Sequence, residues 1–219
     1  MSTAPEIFNL IEDGNLNDLK ALVRSDSKVA RARNDSGQSP IIYAQFQQRD
    51  ALAEILMTAN PFIDIGEAAA LGQIQRIREI LSLEPELMDA AVYDGLTPLH
   101  LAARFGQAVA VEVLLELGSS PTAVAKNHLG LLPIHCAVQS GDAESVEILL
   151  DAEALVDATD SQGKTPVHYA VIEKQATCLQ VLLKYGGNPD QIADDGLSPL
   201  ERADGESLQI LRGVNQVFL

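Results

Sequence analysis

The sequence predicts an all-α solenoid of stacked helix-turn-helix units, and two observations carry that prediction. A block opening Gly-x-x-Pro-apolar recurs as GLTPLHLAARFG from Gly95, GLLPIHCAVQSG from Gly130, GKTPVHYAVIEK from Gly163 and GLSPLERADGES from Gly196, at steps of 35, 33 and 33 residues. A second signal shares the period: Val111, Leu114 and Leu115 match Val146, Leu149 and Leu150, and then Leu179, Leu182 and Leu183. Repeats of about 20 to 50 residues build stacks, because one small unit cannot bury its apolar face without a neighbour.

The elements of a unit follow from its residues. The glycine permits positive φ in a tight turn. Thr or Ser before Pro offers a cap oxygen, and Pro at the first helical position lacks only an N–H that would be unpaired there. A short first helix therefore starts at each Pro. Small residues such as Ala102, Ala103 and Ala137 let neighbouring helices approach, and Gly106 or Gly141 ends the helix. A second helix follows, with an apolar stripe that packs on the first helix and on the next unit.

Taken from the N-terminus, EIFNLIEDGNLNDLKALV is the first pair, with Gly14, Leu19, Leu22 and Val23 in frame. Ser39 and Pro40 open the second, whose stripe is Ala53, Leu56 and Met57. The third has no Thr-Pro opening, but Asp64, Gly72, Ile77, Ile80 and Leu81 align with Pro98, Gly106, Val111, Leu114 and Leu115. The blocks at Gly95, Gly130, Gly163 and Gly196 complete seven units, over about 5–37, 38–61, 62–95, 96–130, 131–163, 164–196 and 197–219 of one domain. From Val23 through Met57, Leu81, Leu115 and Leu150 to Leu183 the stripe advances by 34, 24, 34, 35 and 33 residues. One interval is short, so the second unit is expected to lack its turn segment.

Thr97-Pro98-Leu99-His100, Leu132-Pro133-Ile134-His135 and Thr165-Pro166-Val167-His168, followed by glycine-ended first helices and Leu-Leu second helices, resemble ankyrin repeats. The resemblance is sharpest from Leu96 to Gly196 and extends over about 5–213. Leu132 stands where that family has Thr, Glu201 where it has His, and the last unit is cut short after Leu211, in the manner of a terminal cap. The resemblance implies β-hairpin fingers between helix pairs, and a concave face of fingers and first helices that binds partner proteins. Counting from each glycine, the residues expected on that face are Tyr93, Leu96, Arg104, Phe105, His128, Leu129, Leu131, Gln139, Ser140, Gln162, Lys164, Ile172 and Glu173. Phe105 could instead pack between repeats, and the segment from Gly118 to Gly130 is two residues longer than its equivalent from Glu153 to Gly163.

Composition excludes several function classes. A formal charge of -16 opposes binding to nucleic-acid phosphate. The most apolar stretch, Val109 to Leu117, contains Glu112 and Glu116 and falls short of a membrane span. Two cysteines and an N-terminus without a basic region or apolar core point to a reducing cytoplasm. His100, His135 and His168 recur at one repeat position, about 8 to 10 Å apart on stacked helices, too far for a shared metal, and are expected to bond loop backbone between repeats. Cys136 beside His135 points away from it on a helix, so both cysteines read as core. No catalytic residue, cofactor or metal site is expected. Between 131 and 163 the charge is -7, with Glu144, Glu147 and Asp151 opposite the buried stripe on an outer, solvated face. These residues support two readings: a protein-binding module or adaptor, and an acidic inhibitor or immunity-type protein that blocks a basic site. A monomer is expected, with Val217, Phe218 and Leu219 as an apolar tail.

Overall fold

The computed structural model describes residues 4–59 and 63–217. Its helices come in pairs: α1 (Ala4–Glu12) with α2 (Leu16–Ser25), α3 (Pro40–Phe46) with α4 (Asp50–Ala59), α5 (Ile65–Ala70) with α6 (Ile74–Leu83), α7 (Pro98–Arg104) with α8 (Ala108–Glu116), α9 (Pro133–Ser140) with α10 (Ala143–Asp151), α11 (Pro166–Ile172) with α12 (Ala176–Lys184), and α13 (Pro199–Arg202) with α14 (Gly205–Val217). First helices stack on first helices, from α1 on α3 through to α11 on α13, and form one layer. The second helices form the other, α2 on α4 and then α6, α8, α10, α12 and α14 in succession, with no comparable contact between α4 and α6. The side chains of Val217, Phe218 and Leu219 lie outside the described residues.

The sequence signals act as their chemistry requires. The Ser39 hydroxyl accepts from the Ile42 N–H at 3.2 Å, and the Ser198 hydroxyl from the Glu201 N–H at 3.3 Å. The third unit differs by one position: Asp64 is itself the cap, accepting from the Glu67 N–H at 2.9 Å, so α5 begins one residue later than the glycine alignment implies. After the first helices the chain turns through positive φ at Gly14, Gly72, Gly106 and Gly141. Gln48 and Lys174 occupy the same position with φ of 55° and 57° and no glycine. Gly95, ahead of α7, also has positive φ and has a second constraint, since a Cβ would stand 2.4 Å from the backbone carbonyl oxygen of Lys126 in the following unit.

The fingers are turns rather than β-ladders. One backbone bond joins the limbs of each: Asn34 N–H to Gln38, Val92 to Leu96, Ala125 to Leu131, Asp160 to Lys164 and Ala193 to Leu197. In all but the third of these a tighter turn bond lies inside it: Gly37 to Asn34, Leu96 to Tyr93, Gly163 to Asp160 and Gly196 to Ala193. The next available donors reach the preceding finger, Lys126 to Gly95, Ser161 to Leu129 and Asp194 to Gln162, so the limbs spend their bonds along the stack. The two extra residues of the fourth finger lie at its tip, between Ala125 and Leu131, where Asn127 Oδ1 accepts from Leu129 and Gly130. Only residues 60–64 separate α4 from α5, against 117–132 between α8 and α9, so the second unit has no room for a finger.

That omission divides the core. One cluster of buried side chains, including Ile7, Ile11, Leu19, Ile41 and Leu56, fills the first two pairs. The other runs from Ile42 to Leu211 through Leu99, Leu114, Ile134, Leu149 and Leu182. Leu71 packs against both.

Non-glycine residues in the left-handed region are strained by about 1 kcal/mol, and this gives a direct test. Lys174→Gly and Gln48→Gly are each expected to raise the unfolding free energy by about 0.5 kcal/mol or more, whereas Gly95→Ala should lower it by about 2 kcal/mol, as measured by urea denaturation.

Candidate functional site

The repeated histidine is where sequence chemistry and stacking meet. His100, His135 and His168 each stand at the third residue of a first helix, and all are buried. Their Nδ1 atoms accept the cap residue's N–H: Thr97 at 3.3 Å, Leu132 at 3.1 Å and Thr165 at 3.0 Å. Their Nε2 atoms donate across to the chain leading into the next unit: His100 to Leu131 O at 2.9 Å, His135 to Ala158 O at 3.1 Å and Lys164 O at 3.2 Å, and His168 to Leu197 O at 3.3 Å. Both ring nitrogens are thus spent inside the fold. Burial pushes His100 and His135 down to about 4, and a proton on Nδ1 would also face the cap N–H.

The residues expected on the finger-and-first-helix face divide by depth. His128, Ser140, Gln162, Ile172 and Glu173 are exposed, and Arg104, Phe105, Leu129, Gln139 and Lys164 are half-buried. Tyr93, Leu96 and Leu131 are buried, which corrects the expectation that they face solvent. Leu96 and Leu131 are the last residues before a helix cap, where the chain turns inward under the fingers. Tyr93 lies over Gly66, where a Cβ would stand 2.5 Å from its ring, and its hydroxyl donates to Asp64 Oδ2. Phe105 packs edge-to-face on Phe46 with centroids 5.0 Å apart, so it contributes to packing between units.

The structure also brings in residues that the glycine count misses. α5 is short and carries Gly66, Ala68, Ala69 and Ala70, all buried, so α3 of the second unit meets α7 of the fourth across it. Arg104 lies over the Phe46 ring at 5.9 Å and donates to Gln139 Oε1. On one side of this bridge is a cleft of about 350 Å³, bordered by Gln38, Tyr43, Phe46 and Gln47 from the second unit and by Asp94, Asn127 and Leu129 from the fingers. On the other is a hollow of about 300 Å³ floored by Phe105 and Ser140. The 24-residue interval was the signal in the sequence that units two and four would come close here.

Comparison with known proteins agrees with this geometry. The family model for ankyrin repeats (3 copies) matches residues 65–160 and 122–193. The chain belongs to the ankyrin repeat family. It is also similar to Rabankyrin-5 of Mus musculus, 31% identical over 107 residues. That match covers 48% of this chain and 6% of the relative, so the chain spans only a small part of the relative's length. Ankyrin repeats are generally protein–protein interaction modules.

Other groups of this ankyrin stack are committed to structure. Cys136 and Cys178 are buried free thiols, which burial pushes up to about 12 and about 11. On the second-helix layer Glu144 is exposed, but Glu147 takes Lys184 Nζ at 2.6 Å and Asp151 the Tyr185 hydroxyl at 2.6 Å. Among the described residues no helix is long and apolar enough to cross a membrane.

The histidines make stability pH-dependent with a defined sign. Unfolded histidine titrates near 6.5, and His100 and His135 near 4 in the fold, so the unfolded chain binds more protons between these values. Their contribution is complete above about pH 6.5 and is lost as pH falls toward 4. His135→Gln should flatten the slope of unfolding free energy in that window; an unchanged slope would remove His135 as a source.

Proposed function

We propose that the chain is a non-catalytic protein-binding module or adaptor that holds a partner protein on the face formed by its fingers and first helices. The observation that carries this reading is a set of exposed side chains on the finger turns and first-helix ends of the central units: His128, Ser140, Gln162, Ile172 and Glu173, with Ile172 42% exposed. Exposed apolar groups beside polar ones on a rigid scaffold suit an interface with an apolar centre and a polar rim. The commitment of three histidines and both cysteines to the fold supports a role without catalysis. Free thiols suit a reducing cytoplasm, and the charge of -16 favours protein over nucleic acid as partner. A single monomeric stack of seven units serves this role. An acidic blocker of a basic site is the weaker reading, because Glu147 and Asp151 are already engaged by Lys184 and Tyr185.

The test replaces exposed groups alone. A chain carrying His128→Ala, Ile172→Asp and Glu173→Arg should melt within about 2 °C of the parent, since exposed changes are usually worth under about 0.5 kcal/mol. It should lose the proteins that co-purify with the parent from native cells. Undiminished co-purification would reject this face.

A further inference from the structure

The missing second finger leaves a place in the stack that is not refilled by side chains. Elsewhere each finger lies against the next and bonds to it through backbone, as Lys126 does to Gly95 and Ser161 to Leu129. At this place the chain leaves the cleft of about 350 Å³ between α3 and the third and fourth fingers. Such a volume lies at the low end of the range of about 300–1,000 Å³ for ligand pockets and suits a few side chains of an extended segment. Tyr43, Phe46 and Leu129 supply apolar wall, and Gln38 and Gln47 supply amides that can donate and accept along a peptide.

The charges specify the occupant further. In a chain with 31 acids and 15 Lys and Arg, half-buried Arg104 makes no ion pair among the described residues. It donates to Gln139 and leans on Phe46, with further N–H donors left. A guanidinium held on an aromatic ring beside an apolar wall is complementary to a carboxylate. Asp94, on the finger side, repels an acid there and so sets the direction of the segment. The acids of α10 lie on the second-helix layer, where salt screens them beyond about 8 to 10 Å.

We infer that this notch binds an extended segment of a partner protein, with an aspartate or glutamate paired to Arg104 and an adjacent apolar side chain between Phe46 and Leu129. The inference rests on the protein-binding role proposed above and adds the chemistry of the segment that is recognised.

The experiment selects phage-displayed random dodecapeptides on the whole chain and titrates a synthetic copy of the best one by fluorescence anisotropy. Enriched peptides should share an Asp or Glu next to a large apolar residue. Changing that acid to its amide, or Arg104→Gln in the chain, should each weaken binding about tenfold, and the two together should cost little more than either alone. Gln47→Glu, an exposed change that adds a carboxylate to the cleft, should weaken binding severalfold and decides the matter if Arg104→Gln melts early. Val109→Asp, an exposed change on the second-helix layer, should leave peptide binding within twofold. Peptides without a shared acid, the absence of any enriched peptide, or binding to the Gln47→Glu and folded Arg104→Gln chains as tight as to the parent would each overturn the notch. Loss of peptide binding on Ile172→Asp alone would also overturn it while leaving the wider binding role standing.

Discussion

In each central unit of this stack the side chain at the third residue of the first helix ties the helix start to the chain that enters the next unit. That residue must accept the cap N–H on one side and donate to an incoming backbone carbonyl on the other. A neutral imidazole with its proton on Nε2 meets both demands at the right separation, as His100, His135 and His168 do. Burial keeps the ring neutral, and neutrality keeps both bonds. One group therefore couples the helix start to the position of the incoming chain.

Where the demand changes, so does the residue. The second unit has no finger after it, and its third helical residue is Ile42, which joins the apolar core instead. In the third unit the position holds Glu67, fully buried, whose carboxylate accepts the Asp64 N–H at 2.9 Å and whose Oε1 lies 4.0 Å from Arg33 Nη1. Burial and the neighbouring Asp64 charge raise its pKa. The connection there is made in the opposite direction, with Tyr93 reaching from the finger to the cap carboxylate of Asp64, which also takes Arg33 at 3.1 Å. The loss of one finger thus accounts for a divided core, an irregular tie and the approach of Phe46 to Phe105 over the small residues of α5.

Much of this was legible in the sequence because it depends on local chemistry repeated at fixed spacing. The Ser39 cap, the turning glycines and the buried Leu114, Leu149 and Leu182 follow from residue type and register. The short interval before Leu81 announced the absent finger. The face was less legible. Counting from glycines gives a position in the unit but not its depth, so Tyr93, Leu96 and Leu131 were expected outside, and they lie inside. Tyr93 is drawn in by Gly66 and Asp64, residues of the preceding first helix that no count within one unit includes.

The sequence by itself determined the repeat, the helix starts and stops, the two-layer stack and the balance of charge, since caps, turns and apolar stripes act within a few residues. Only the tertiary structure decided which side chains remain accessible and which distant units touch. Those outcomes depend on how far one helix sinks between its neighbours. α5, with nothing larger than alanine over much of its length, sinks far enough for Phe46 and Arg104, from units that are not consecutive, to share one cleft.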